Sequence, residues 1–140
     1  MKAIRVLEPG GPEVLRISEV PAPEPKAGEL LVRIKAAALN RADLMQRRGL
    51  YPPPEGATDI LGLEMAGEIE QIGEGVSGWS PGDRVCALLP GGGYAENVVI
   101  PADLAIPIPS NLSDEEAVAI PEVFLTAYMN LTWLGRLQPG

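Results

Sequence analysis

Gly62-Leu63-Glu64-Met65-Ala66-Gly67-Glu68-Ile69-Glu70-Gln71-Ile72-Gly73, continued by Glu74-Gly75-Val76-Ser77-Gly78-Trp79-Ser80-Pro81-Gly82-Asp83-Arg84-Val85, is the stretch on which the fold turns. Two strand-like runs are set among loops, with five glycines from Gly62 to Gly78. Glycine at this density marks places where the backbone turns through positive φ or passes close to another backbone. On spacing alone the stretch describes a small, heavily turned β-domain.

Composition agrees with that reading. A chain of 140 residues has the size of one domain with a modest core. Sixteen glycines and fifteen prolines beside 46% hydrophobic residues favour a turn-rich β-fold over disorder. The net charge of −8 argues against a nucleic-acid partner, because polyanions are bound through clustered Lys and Arg. No uninterrupted apolar run reaches the roughly 18 residues of a membrane span, and the N-terminus lacks a signal peptide's apolar core. No membrane partner is therefore expected. Cys86 is the single cysteine and cannot form an internal disulfide, so a cytoplasmic protein is expected. With no histidine and one cysteine, the chain lacks the nitrogen and sulfur ligands that zinc prefers, so no metal site and no zinc chemistry are expected.

Upstream of the glycine-rich stretch the chain reads as strands. Lys2 to Leu7 and Val14 to Val20 are β-rich runs joined by the turn Glu8-Pro9-Gly10-Gly11-Pro12. Pro21-Ala22-Pro23-Glu24-Pro25 is a stiff, extended connector. From Glu29 the pattern alternates, placing Val32, Ile34 and Ala36 on one face and Arg33 and Lys35 on the other. A short helix over 41–48 is expected next. Asn40 suits its N-cap, Asp43 sits three positions later, and Arg47-Arg48-Gly49 close the last turn.

Downstream, Cys86 lies in a strand from Arg84 to Leu89 and is read as a small buried hydrophobe without chemistry. Pro90-Gly91-Gly92-Gly93 leads into a strand from Tyr94 to Ile100, which favours a hairpin turn over a phosphate loop, since phosphates prefer the glycine loop that opens a helix. Ser113-Asp114-Glu115-Glu116 has the form of a capping box. Pro121 interrupts the helix that follows, and Glu122 to Leu134 restarts it, ending at Gly135. The boundary falls at this change of character: 1–112 as one domain, 113–140 as a helical connection. Glu64, between glycines and apolar residues, is expensive to bury without a partner. It is read as a structural carboxylate held by an arginine or backbone amides, with a catalytic acid as the alternative.

G-x-E-x-A-G-x-I from Gly62, I-G-x-G-V from Ile72 and P-G-D-R-V from Pro81 together resemble the signature of the medium-chain dehydrogenase/reductase superfamily, in its quinone oxidoreductase branch. Ala38-Leu39-Asn40-Arg41-Ala42-Asp43-Leu44, with Gly49-Leu50-Tyr51-Pro52-Pro53-Pro54, is similar to the quinone oxidoreductases related to zeta-crystallin, in particular the stress-inducible mammalian type. Tyr94-Ala95-Glu96 matches the same superfamily at the end of its barrel. The resemblance implies a mainly β (α+β) chain: a GroES-like, partly open β-barrel with a short helix and C-terminal connecting helices.

The resemblance also implies a site. In zinc alcohol dehydrogenases the positions of Asn40 and Leu63 hold a metal-binding Cys and His, and both are replaced here. Asn40 is implied to place its amide near a nicotinamide, and Tyr51 to present its ring or hydroxyl to a quinone. Met45, where some bacterial relatives carry tyrosine, is implied as pocket wall or core. Arg41 is implied on the cofactor's pyrophosphate, which suits a guanidinium fork. Thr126 is implied on the cofactor, with a hydroxyl bonded back to its own helix as the alternative.

The family's Pro-Gly turn, matched by Pro139-Gly140, precedes a Rossmann domain whose glycine-rich fingerprint does not occur in this sequence. The implied parent is a two-domain enzyme, a homodimer at full length, passing hydride from NADPH to a quinone. Reduction of enones or enoyl thioesters is the alternative within enzymes, and a non-catalytic GroES-like binding module the alternative outside them. The family link to RNA is opposed by the acidic charge.

Overall fold

A computed structural model describes residues 1–138, so the Pro139-Gly140 turn lies outside the described residues. Seven strands lie among the described residues: β1 (Lys2–Val6), β2 (Leu15–Glu19), β3 (Glu29–Ala37), β4 (Glu64–Ile72), β5 (Arg84–Leu88), β6 (Asn97–Pro101) and β7 (Ile106–Pro107). Three α-helices accompany them: α1 (Arg41–Arg47), α2 (Asp114–Ala117) and α3 (Pro121–Tyr128). β1 and β2 form an antiparallel pair, and the other five strands form an antiparallel sheet in the order β6-β3-β4-β5-β7. The chain is mostly sheet with few helices, without a closed barrel among the described residues.

The glycine-rich stretch forms β4, the centre of the five-stranded sheet, and leads into β5. Both strands are buried on two sides, and alternation assigns each side chain to one. Met65, Ile69, Val85 and Ala87 join Leu30, Val32, Leu89, Val98 and Ile100 in the main core. Ala66 and Cys86 point the other way and are covered by Ala117 and Val118. Burial pushes the Cys86 thiol up from its ordinary value, which keeps it from being nucleophilic. Gly67 is required by proximity: a Cβ there would fall on the Arg33 carbonyl across the β3–β4 ladder.

β3 departs from the simple alternation. Val32 is buried, Ile34 packs on the main core, and Arg33 and Lys35 reach outward to Glu68 and Glu70. Ala36, expected on the same face, packs instead on the second cluster. A bulge between Ile34 and Ala36 is the reason, because one extra residue turns the strand that follows over. Two other strands are shorter than their sequence suggests. A 3₁₀ turn over Pro12–Val14 delays β2 to Leu15, and before Asn97 the run from Tyr94 makes one isolated bridge, Ala3 to Ala95.

The Gly91-Gly92-Gly93 segment is not the expected hairpin turn, because the strands it connects, β5 and β6, are separated in the sheet by β3 and β4; it is a crossing loop held by backbone. Gly92 N–H donates to the Ile60 carbonyl and Gly93 N–H to the Gly62 carbonyl, so these amides are occupied by backbone.

The C-terminal helices are fastened to the sheet by polar groups. Ser113 and Glu116 form the expected capping box. Arg84 on β5 reaches Asp114 Oδ1 with Nε at 3.0 Å and Nη2 at 2.8 Å. The expected interruption is present, as α2 stops at Ala117, and Pro121 is the first residue of the restarted helix, α3, a position where its missing N–H costs nothing. After Tyr128 the helix widens into a π turn over Met129–Leu134, so the expected continuous helix to Leu134 is two geometries in sequence. Asp114–Leu134 has the length and mean hydropathy, 1.2, of a membrane-crossing helix. That length adds α2, α3 and the π turn, with a break at residues 118–120 and acidic first turns at both α-helices. Its outer face is apolar: Phe124, Tyr128, Trp133 and Leu134 are all exposed.

Candidate active site

The loop from β3 into α1 and the facing helix α3 form an open cleft of about 560 Å³, lined in part by Asn40, Arg41, Thr126 and Asn130. The three residues singled out for cofactor contact, Asn40, Arg41 and Thr126, thus share one concavity. Tyr51 and Met45 are not among its lining residues. Tyr51 is 47% exposed just beyond α1, and Met45 is half-buried within α1.

Each wall is positioned by identifiable chemistry. Asn40 is the N-cap of α1, and Asp43 Oδ2 accepts its backbone N–H at 2.8 Å. The Asn40 side chain also serves the cleft's other wall: Nδ2 donates to Glu64 Oε1 at 2.8 Å. The second oxygen of Glu64, Oε2, accepts the Glu122 backbone N–H at 2.8 Å in the first turn of α3. Glu64 is 2% exposed, and its partners are an amide side chain and a backbone amide rather than an arginine. Thr126 Oγ1 lies 3.4 Å from Glu122 Oε1, one turn earlier on its own helix. Arg41 makes no ion pair among the described residues, so its guanidinium is available to a ligand.

Beneath this wall lies a second buried carboxylate that sequence reasoning had seen only as a helix-capping residue. Asp43 is 3% exposed. Besides the Asn40 amide it accepts the Gly62 N–H on Oδ1 at 3.1 Å, and the Tyr94 hydroxyl lies 2.9 Å from Oδ2. That hydroxyl is also 3.1 Å from the Ala38 carbonyl, and its single hydrogen serves one acceptor at a time. The sequence signal was present in two quoted motifs, Asp43 in the α1 run and Tyr94 in Y-A-E, but nothing local joins residues 51 positions apart.

Burial, and then the hydrogen-bonded Asp43 carboxylate and the Glu64 charge, hold the Tyr94 phenol well above its ordinary value. Unfolded tyrosine loses its proton near about 10. The raised folded value therefore contributes stability in full below that pH, and the contribution fades as pH climbs toward the folded value. Denaturant midpoints measured on either side of about 10 should fall more in the wild type than in Tyr94→Phe. Equal alkaline losses in both proteins would refute this role.

Comparison with known proteins places the architecture. The profile of the alcohol dehydrogenase GroES-like domain matches residues 26–110, more than half of the chain. The chain belongs to this family, within the medium-chain dehydrogenase/reductases. Synaptic vesicle membrane protein VAT-1 homolog-like of Mus musculus is 39% identical over 140 residues, covering 100% of this chain and 34% of the relative. The quinone oxidoreductase of Thermus thermophilus, whose structures include a complex with NADPH, superposes with a TM-score of 0.81 at 38% identity, covering 100% of this chain and 43% of that one. The CurK enoyl reductase superposes with a TM-score of 0.91 at 31% identity, covering 99% and 44%. This GroES-like chain therefore spans about a third of the curated mouse relative. Its solved relatives include both a quinone oxidoreductase and an enoyl reductase.

Proposed function

We propose that this chain is the catalytic-side domain of an NADPH-dependent quinone oxidoreductase that passes hydride from nicotinamide to a quinone. The observation that carries the reading is the single cleft gathering Asn40, Arg41 and Thr126 in a chain 38% identical to a quinone oxidoreductase solved with NADPH. The donor set suits such a cofactor. Arg41, unpaired among the described residues, offers a planar fork to phosphate oxygens. Asn40 brings an amide that both donates and accepts, and Thr126 a hydroxyl. NADPH, when bound, supplies the hydride.

The chain's own residues bind, orient and exclude water. Arg41 anchors the charged end, Asn40 and Thr126 set the orientation, and Val123, Ala127 and Leu131 give the α3 wall an apolar lining. Tyr51, with Met45 earlier in the same stretch, is the proposed quinone contact. No zinc enters this scheme. Residues 1–112 are assigned to catalysis and 113–140 to the connection toward a dinucleotide-binding domain. The parent is proposed to be a cytoplasmic homodimer.

A second reading, reduction of enones or enoyl thioesters, is favoured by the close superposition on an enoyl reductase. The native gene product, assayed with NADPH and para-benzoquinone beside an aliphatic enone, separates the two. Quinone-dependent consumption of NADPH is expected. Turnover of the enone alone would install the second reading, and turnover of neither would leave a binding module.

A further inference from the structure

Helix α3 starts without a capping side chain of its own. Its N-cap is Ile120, whose side chain has no acceptor to offer, and Pro121 follows it. The amides of a helix's first turn need partners, and an anionic oxygen there is favoured by the helix dipole as well. Glu64 supplies that oxygen from the start of β4, 58 residues away, by accepting the Glu122 N–H on Oε2. Its other oxygen accepts from Asn40 Nδ2 on the opposite wall of the cleft. Asn40 and Glu122 both line the cleft, whereas Glu64 lies behind it, 2% exposed.

From this bridge we infer that Glu64 is a positioning residue, which ties the two walls of the cleft together and fixes which end of the Asn40 amide faces it. The inference rests on the cleft being the site proposed above. A carboxylate offers acceptors alone, so the amide must turn its NH₂ end toward Glu64, and the carbonyl Oδ1 is held on the other end. Lining residues from the β3–α1 loop and from α3 are otherwise far apart in sequence. Through one buried side chain, a shift of α3 is felt at Asn40. A fully satisfied buried polar group of this kind rigidifies what it joins.

Glu64→Gln tests the inference because it keeps shape and removes the second acceptor. A glutamine has one carbonyl oxygen and one NH₂. The Glu122 backbone N–H cannot reverse, so it retains the oxygen, and the glutamine NH₂ then confronts Asn40. In amide correlation spectra of the isotope-labelled chain, the Asn40 side-chain NH₂ pair is expected to shift in Glu64→Gln while the Glu122 backbone amide stays in place. Adding Asn40→Asp to that variant restores an acceptor opposite the glutamine and should return the signals around the α1 N-terminus toward their original positions. In Glu64→Ala the Glu122 amide should shift as well.

A role confined to capping α3 would leave the Asn40 pair unmoved in Glu64→Gln, and that result would overturn the inference. The unshifted amides of Ile69 and Val85 serve as the check that the variants fold. Because these spectra need neither cofactor nor quinone, absence of quinone turnover would count against the proposed activity without touching this result.

Discussion

Asp43→Ala is expected to lower the unfolding free energy by about 3 to 5 kcal/mol, from leaving several buried partners unpaired. The carboxylate is the meeting point of three donors, Asn40 N–H, Gly62 N–H and the Tyr94 hydroxyl, of which the two backbone amides make no other hydrogen bond among the described residues. These belong to the start of α1, the entry into β4 and the segment before β6, so one deletion disconnects three parts of the chain. Tyr94 retains the Ala38 carbonyl as a fallback, but the two backbone amides do not move with a side chain. Set against a typical total of about 5 to 15 kcal/mol, the loss is a large share of stability. Guanidinium unfolding followed by fluorescence of Trp79, which packs on the main core, gives the number. Asp43→Asn, which keeps one acceptor oxygen, should lose roughly half as much. A loss below about 1 kcal/mol for the alanine variant, the usual worth of a single hydrogen bond, would show that the network is not a structural keystone.

Gly62→Ala should cost about 3 kcal/mol or more, from two effects that act together. The backbone at Gly62 has φ of +102°, where side chains are rarely tolerated. A Cβ would also stand 2.6 Å from Tyr94 N and 2.7 Å from the Cα of Gly93, both parts of a backbone that cannot yield locally. That backbone is pinned: Gly93 N–H donates to the Gly62 carbonyl and Tyr94 N–H to the Leu61 carbonyl. Gly75→Ala is the contrasting control. Its φ is +79° but nothing lies within 4 Å of the added atom, so only backbone strain remains. The same denaturant titration should rank the Gly62 variant well below the Gly75 variant; equal losses would mean that close approach contributes nothing. Since Gly62 N–H donates to Asp43, the Asp43→Ala and Gly62→Ala losses should combine to less than their sum.

The fold was legible wherever the sequence speaks locally. Glycine density announced the crowding around β4, alternation placed Arg33 and Lys35 outward, and the Ser113 to Glu116 capping box marked α2. What could not be read is what depends on pairing between distant strands. The bulge that turns Ala36 away from Ile34 is set by β4 across the ladder, and no residue type in β3 signals it. The π turn after Tyr128 likewise has no helix breaker before it, and none follows until Gly135.

The site divides in the same way. Asn40, Arg41 and Thr126 were named through family motifs, and the fold brings them to one cleft. Glu64 was flagged because burial of a carboxylate demands partners, yet those partners, Asn40 and the Glu122 amide, come from elements 24 and 58 residues away. Asp43 and Tyr94 carry a comparable buried network without any local mark of it, since capping positions and strand-edge tyrosines occur in many chains for other reasons.

The most direct measurement is hydride transfer by the native gene product, followed through nicotinamide absorbance in a single turnover with para-benzoquinone, in the wild type and in Asn40→Ala. Removal of an orienting group in the cleft should slow the step about tenfold or more, equivalent to roughly 1.4 kcal/mol of lost transition-state stabilisation. An Asn40→Ala protein that folds normally and transfers hydride at the wild-type rate would contradict the assignment of this cleft as the active site.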